Sequence, residues 1–168
     1  MSNRFYHATT RDYSEGQIVD ASAFSMTEYV QRKGEDGMAW VDDLLEAGRP
    51  DEKPSRRNCC YTFKSASMCI AFLGNRLEGV KLYEVELDNP YGCPMCLVGE
   101  VEKSAGNPAE GLVAEYWTPS KEWNQLEYLA TKMTIIKEVR MPPKSHISGA
   151  LSLYFEDQEK AKRLYRAK

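Results

Sequence analysis

The segment Trp123-Asn124-Gln125-Leu126-Glu127-Tyr128-Leu129-Ala130 sets one carboxylate inside an otherwise apolar and aromatic run that leads into Met133-Thr134-Ile135-Ile136. An acid flanked by Leu126 and Leu129 on a strand is expensive to bury, so it needs a partner or a chemical role. A lysine such as Lys132 or Lys137 is the structural alternative, as an ion pair. Two earlier segments point to a chemical role, namely Phe5-Tyr6-His7-Ala8-Thr9-Thr10 and Cys60-Tyr61-Thr62-Phe63. Histidine, tyrosine and glutamate at the ends of three strands can assemble one pocket.

A chain of 168 residues with 42% hydrophobic content is the size of one domain and can bury its own core. No apolar run approaches the roughly 20 residues of a membrane span, and Met1-Ser2-Asn3-Arg4 lacks the apolar stretch of a signal peptide. The expectation is a soluble, cytoplasmic protein with no membrane partner. The net charge of −3 argues against a surface built wholly for nucleic acid. The tail from Lys160 to Lys168 is basic, which suits either a phosphate backbone or the negative end of a solvated terminal helix. Five cysteines, an odd number, read as reduced thiols. Cys93-Pro94-Met95-Cys96 has zinc-knuckle spacing but lacks a matching second pair, so it reads as a turn with two partly buried thiols and no metal.

Arg4 to Ala8 reads as the first strand and Gly16 to Val19 as a short second one. Residues 25–57 look like an insertion, with Met26, Tyr29, Val30 and then Trp40, Val41, Leu44, Leu45 at helical spacing. Its end, 48–57, has too little apolar content to pack and reads as a mobile loop. Tyr61 to Phe63 is a strand, followed by a helix that Ser65 caps and Gly74 ends. Lys81 to Leu87 alternates as a half-exposed strand. Asn107-Pro108-Ala109-Glu110 is a helix start with Asn107 as cap, and that helix turns Leu112, Val113 and Tyr116 inward. Thr134 to Val139 is the last strand, His146 falls in a surface loop, and 155–168 forms a basic terminal helix. The class is α+β with mainly antiparallel strands.

In this order the residues resemble the ADP-ribosyltransferase superfamily over roughly 4–139. Phe5 to Thr9 is similar to that family's first strand. His7, Tyr61 and Glu127 follow the sequence of its His-Tyr-Glu branch, and Phe72 stands eleven positions after Tyr61. Lys81 to Pro90 resembles the next strand, and Glu127 to Val139 the closing hairpin. Gln125-Leu126-Glu127 has the Gln-x-Glu form of the Arg-Ser-Glu branch, in which Arg4 and Ser65 would hold the earlier positions. The resemblance implies one domain over 1–168 with a split β-sandwich and flanking helices. It also implies NAD as co-substrate, with transfer of ADP-ribose to a protein, a nucleic acid or a small molecule, as in a toxin or effector.

Those residue types suit that chemistry. Cleaving the nicotinamide–ribose bond builds positive charge on the sugar, which a fixed carboxylate at Glu127 stabilises most in the transition state. Tyr61, with Phe72 nearby, can hold the flat ring by offset stacking. His7 can hydrogen-bond a ribose hydroxyl or the amide, next to Ala8 and with a short polar contact from Thr9, while Gln125 can position the acceptor. The loop 48–57 and the acidic stretch around Glu115 offer acceptor-facing surfaces. Two alternatives accompany this reading. One is an NAD-dependent RNA 2′-phosphotransferase, for which Arg4, Arg11, Arg56 and Arg57 supply only a sparse basic cleft. The other is a non-catalytic module that binds a partner protein through Trp117 and Trp123.

Overall fold

The computed structural model describes residues 4–21, 39–74, 77–104 and 108–165, and among these seven strands and five helices follow one another. They are β1 (Arg4–Thr9), β2 (Ile18–Asp20), α1 (Ala39–Ala47), β3 (Cys60–Thr62), α2 (Ala66–Ala71), β4 (Lys81–Leu87) and β5 (Tyr91–Pro94). There follow α3 (Cys96–Lys103), α4 (Glu110–Trp117), β6 (Leu126–Ala130), β7 (Lys132–Val139) and α5 (Lys144–Tyr165). The class is α+β, and the strand pairs among the described residues are antiparallel. The Met26, Tyr29 and Val30 group, the Asn107 cap and the tail beyond 165 lie outside the described residues.

One sheet runs β1-β4-β7-β2 and the other β3-β6-β5. A bridge joins them: Tyr6 N–H donates to Phe63 C=O at 2.7 Å, and Phe63 N–H returns the bond to Tyr6 at 3.0 Å. The alternating faces of the strands then sort three cores. Phe5, Tyr83, Val85 and Ile135 pack with Cys60 and Ala130 of the second sheet. Phe63, Met68, Ile70 and Leu82 pack beneath α2 and α5. The far face of β3-β6-β5 meets α1, α3 and α4 through Leu129, Val41, Leu45, Leu97, Tyr116 and Trp117.

Four expectations change. β4 is not half-exposed: Leu82, Tyr83, Glu84, Val85 and Leu87 are all buried, because the strand is interior to its sheet and packed on both faces. Alternation shifts at a bulge between Glu84 and Val85, and Glu84 takes an ion pair from Arg4 at 3.2 Å. Cys93-Pro94-Met95-Cys96 is not merely a turn, since it ends β5 and begins α3, with both thiols buried. The terminal helix starts at Lys144 directly after Pro142-Pro143, so His146 is exposed on its first turn rather than in a loop. Its first half has no sequence signal, because Ser145, Ser148 and Gly149 carry no apolar period and only Ala150, Asp157 and Ala161 are buried along it. Finally, α4 begins at Glu110 with Ala109 at its cap, which makes no side-chain bond. Ser65 does cap α2, accepting from Met68 N–H at 3.1 Å.

Two buried acids fix the approach to β6. Asp157 of α5 accepts the N–H groups of Asn124 and Gln125, each at 2.9 Å. Glu115 of α4 is closed inward rather than facing an acceptor. It takes the Ser120 N–H and hydroxyl, the Lys121 N–H at 3.0 Å and the Trp123 indole N–H at 2.9 Å. Burial alone would raise the Glu115 pKa, but these donors hold it below the ordinary 4.5. Stability from this carboxylate is therefore complete above about pH 4.5 and is lost as pH falls below that value. Glu115→Gln should cost about 2 kcal/mol at pH 7 and flatten the acid limb of the stability curve. Urea unfolding at a series of pH values checks both, and an unchanged acid limb would show that the cap contributes nothing.

Candidate functional site

Pairing of β3 with β6 sets Tyr61 opposite Leu129, and Glu127 lies two residues along the same strand. Strand period 2 therefore turns Tyr61 and Glu127 to one face, towards α1 and α4. That face is enclosed: Glu127 is 3% exposed. Its partner is neither Lys132, which faces Asp20 at 3.9 Å, nor Lys137, which stands opposite Glu84 on β4. The partner is Arg56, 5% exposed and contributed by the segment 48–59, most of which the sequence marks as a mobile loop.

Arg56 is held in this enclosure by its side chain and its main chain alike. Its Nε donates to Asp42 Oδ1 of α1 at 2.8 Å, and its Nη1 donates to both Glu127 Oε1 and the Tyr116 hydroxyl. Tyr116 in turn donates to Glu127 Oε1. The guanidinium carbon lies 5.2 Å from the Tyr61 ring centroid and 5.4 Å from that of Tyr116, within cation–π range of each. On the main chain, the Arg56 N–H is taken by Glu46 at 2.8 Å and its carbonyl by the Tyr61 hydroxyl. Glu46 also takes Arg49 Nε at 3.2 Å, and Arg49 spans to the Lys53 carbonyl at 2.6 Å. Polar anchoring thus replaces the apolar packing that the loop lacks.

Protonation states follow from this geometry. Burial opposes the charge on Arg56, but the phenol oxygens of Tyr116 and Tyr61 and the carboxylates of Glu127 and Asp42 hold its pKa well above the ordinary value. Burial likewise raises Tyr61 and Tyr116 well above 10, against the pull of Arg56, so both phenols keep their protons. The neighbouring Cys93 thiol is pushed up to about 12, mainly by burial, and Cys59 further still. These thiols are not nucleophiles at neutral pH.

His7 is linked to the cluster through the main chain of Tyr61: its Nδ1 lies 2.8 Å from the Tyr61 carbonyl oxygen. A carbonyl only accepts, so Nδ1 carries the proton and Nε2 keeps its lone pair. Burial, reinforced by the charge of Arg11, lowers the imidazole pKa below 6.5 against the raising effect of this bond. The ring is therefore neutral at pH 7.

Other expected positions lie elsewhere. Phe72 follows the last turn of α2, 50% exposed, with its ring 6.0 Å from that of Phe63. Tyr116, which the sequence shows only as an inward helix residue, is the aromatic that joins Tyr61 around Arg56. Ala8 packs with the core under α2 and α5, and Thr9 Oγ1 accepts the Arg11 N–H at 3.1 Å. Arg4 and Ser65 are committed to Glu84 and to the α2 cap, far from the Arg-Ser-Glu roles. Gln125 is buried, and its carbonyl accepts Met95 N–H at 3.2 Å. It lines a groove of about 560 Å³ with Lys64, Tyr128 and His146. A second hollow of about 1070 Å³ opens beside Trp123, Phe155 and Lys160. Neither hollow is lined by His7, Tyr61 or Glu127.

Arg56 and Asp42 carry no sequence signal of this role, because they lie 14 residues from each other and Arg56 lies 60 and 71 residues from Tyr116 and Glu127, and neither belongs to a motif. The signal that could have found Arg56 is the enclosed acid itself, since a buried carboxylate beside tyrosines calls for a guanidinium that can bond it and stack at once. Glu127→Ala should cost about 3 kcal/mol or more, because it leaves a buried guanidinium short of one partner, whereas Glu127→Gln keeps the shape and costs less. Chemical denaturation of the two variants measures the difference, and equal losses would contradict a charge-based role. Nitrogen-15 spectra of His7 should show the Nδ1–H tautomer at pH 7. No family model matches the chain, and no curated protein is significantly similar to it.

Proposed function

We propose that the protein is an NAD-dependent mono-ADP-ribosyltransferase that cleaves the nicotinamide–ribose bond and passes ADP-ribose to a protein or nucleic-acid acceptor. One observation carries the proposal. Tyr61 and Glu127 lie on one face of two paired strands, and the space beside both is filled by a planar cation, the Arg56 guanidinium. A pyridinium ring has the same planarity and charge, so the residues fit the nicotinamide end of NAD. Two antiparallel sheets joined at the Tyr6–Phe63 bridge also agree with a split β-sandwich.

In this reading Tyr61 supports the ring, and Tyr116 orients one carboxylate oxygen of Glu127. Glu127 then faces the sugar as positive charge builds there, while the bonding pair departs with nicotinamide and neutralises it. His7 offers Nε2 as an acceptor for a hydroxyl or amide donor. Enclosure strengthens each of these interactions by excluding water.

A specific observation favours a second reading, the non-catalytic module: the charge of Glu127 is already compensated by Arg56. Trp117 does not serve that module, being 1% exposed with its indole N–H on the Leu45 carbonyl at 2.7 Å. Trp123 and the exposed Phe155 would carry it. The RNA phosphotransferase ranks lower still, because Arg4, Arg56 and Arg57 each face an acid rather than a shared cleft.

NAD titration followed by quantified nicotinamide release separates these readings. Transfer requires release by the wild type and a loss of about 100-fold or more in folded Glu127→Gln. Binding and release both absent, in the wild type and in a variant freed of Arg56, would leave the partner-binding module. Stimulation only by 2′-phosphorylated RNA would identify the phosphotransferase.

A further inference from the structure

We propose that Tyr61, Tyr116, Glu127 and Asp42 form a binding site for a planar organic cation, and that Arg56 is its internal occupant, to be withdrawn with the segment 48–57 before a ligand enters. The site rests on geometry alone; only the identification of its ligand as a pyridinium rests on the function proposed above.

Charge composition is the first argument. The enclosure sets the carboxylates of Asp42 and Glu127 around one guanidinium, with the Tyr116 hydroxyl also bonded to Glu127. Without Arg56 the walls would be two acids and two aromatic rings, a lining that prefers a cation with a flat face over a neutral ring or an ammonium. The second argument is how the occupant arrives. Arg56 comes from no helix or strand but from a run of turns. That run is held by local polar bonds, Glu46 to Arg49 and to the Arg56 N–H, Arg49 to the Lys53 carbonyl, and the exposed Arg57–Asp43 pair. Such bonds exchange readily with water, so the run can leave while the walls on β3, β6, α1 and α4 stay in place. The third argument is that Tyr61 reads the occupant twice, through its ring and through its hydroxyl on the Arg56 carbonyl. Withdrawal of the Arg56 main chain with its guanidinium thus releases the phenol as well.

An internal occupant lowers the apparent affinity of any ligand in proportion to the fraction of time the site stands open. Arg56→Gly removes that competition. It should bind methylguanidinium and 1-methylnicotinamide at least about tenfold more tightly than the wild type, and each cation should raise its melting temperature. Tetramethylammonium, charged but not planar, and nicotinamide, planar but neutral, should do neither. Equal affinity of both planar cations for variant and wild type overturns the proposal, as does equal binding of the two controls.

Should Arg56→Gly fold only with methylguanidinium present, that dependence is itself the expected result. If it does not fold even then, Arg56→Lys decides, since its ammonium keeps the charge without the plane. 1-Methylnicotinamide must then bind Arg56→Lys more tightly than the wild type, and no gain refutes the site. Nicotinamide release from NAD, measured on the same variants, separates the two readings. Planar-cation binding without NAD cleavage keeps the site and sinks the transferase, whereas cleavage with no gain on losing Arg56 keeps the transferase and sinks the occupant.

Discussion

A guanidinium taken out of water needs several kcal/mol of compensation, and the structure around Arg56 is arranged to supply it. Asp42 reaches in from α1, Tyr116 from α4 and Glu127 from β6, while Tyr61 of β3 lies beneath. Four elements separated from Arg56 by up to 71 residues are thereby given one relative position. Hydrophobic contact would bring the same elements together without fixing them, because apolar burial is non-directional. The bonds of Arg56 are directional, so they refine the position that apolar packing already gives α1 and α4 on the face of the β3-β6-β5 sheet.

The same device recurs around it. Glu115 gathers the turn before β6, Asp157 ties α5 to the residues that lead into that strand, and Glu46 gathers the loop that delivers Arg56. In each case a buried or half-buried carboxylate accepts main-chain N–H groups that the neighbouring irregular backbone would otherwise leave unpaired. These three connections are thus held by acids as well as by apolar contacts such as those of Cys59 and Trp123.

Features that follow from periodicity are legible in the sequence. Antiparallel strands at 4–9, 60–62 and 132–139, the Ser65 cap and the α+β class all follow from alternation and capping chemistry. The need of Glu127 for a partner is legible as well, because the cost of burying a charge is local. The identity of that partner is not. Apolar content is a sound guide to which loops pack as cores, but it says nothing of a loop that packs through one cation, and so the anchoring of 48–57 through Arg56 is not legible in its composition. Tyr116 looks like ordinary helix core because its ring does pack there, and only its hydroxyl, directed at Glu127, distinguishes it. Phe72 has the right spacing from Tyr61, yet α2 carries it over Phe63 instead.

Stability alone gives little reason for so charged a centre. Apolar residues of matching volume at 42, 56 and 127 would fill the same space, and replacement of buried ion pairs by such residues is often neutral or stabilising. Besides fixing positions directionally, two phenols and two carboxylates around a flat cation do what an apolar filling cannot: they discriminate by charge and plane. Discrimination of that kind is useful only if something other than Arg56 is at times the guest. The arrangement is accordingly better explained as a recognition site held closed than as a core that happens to be ionic.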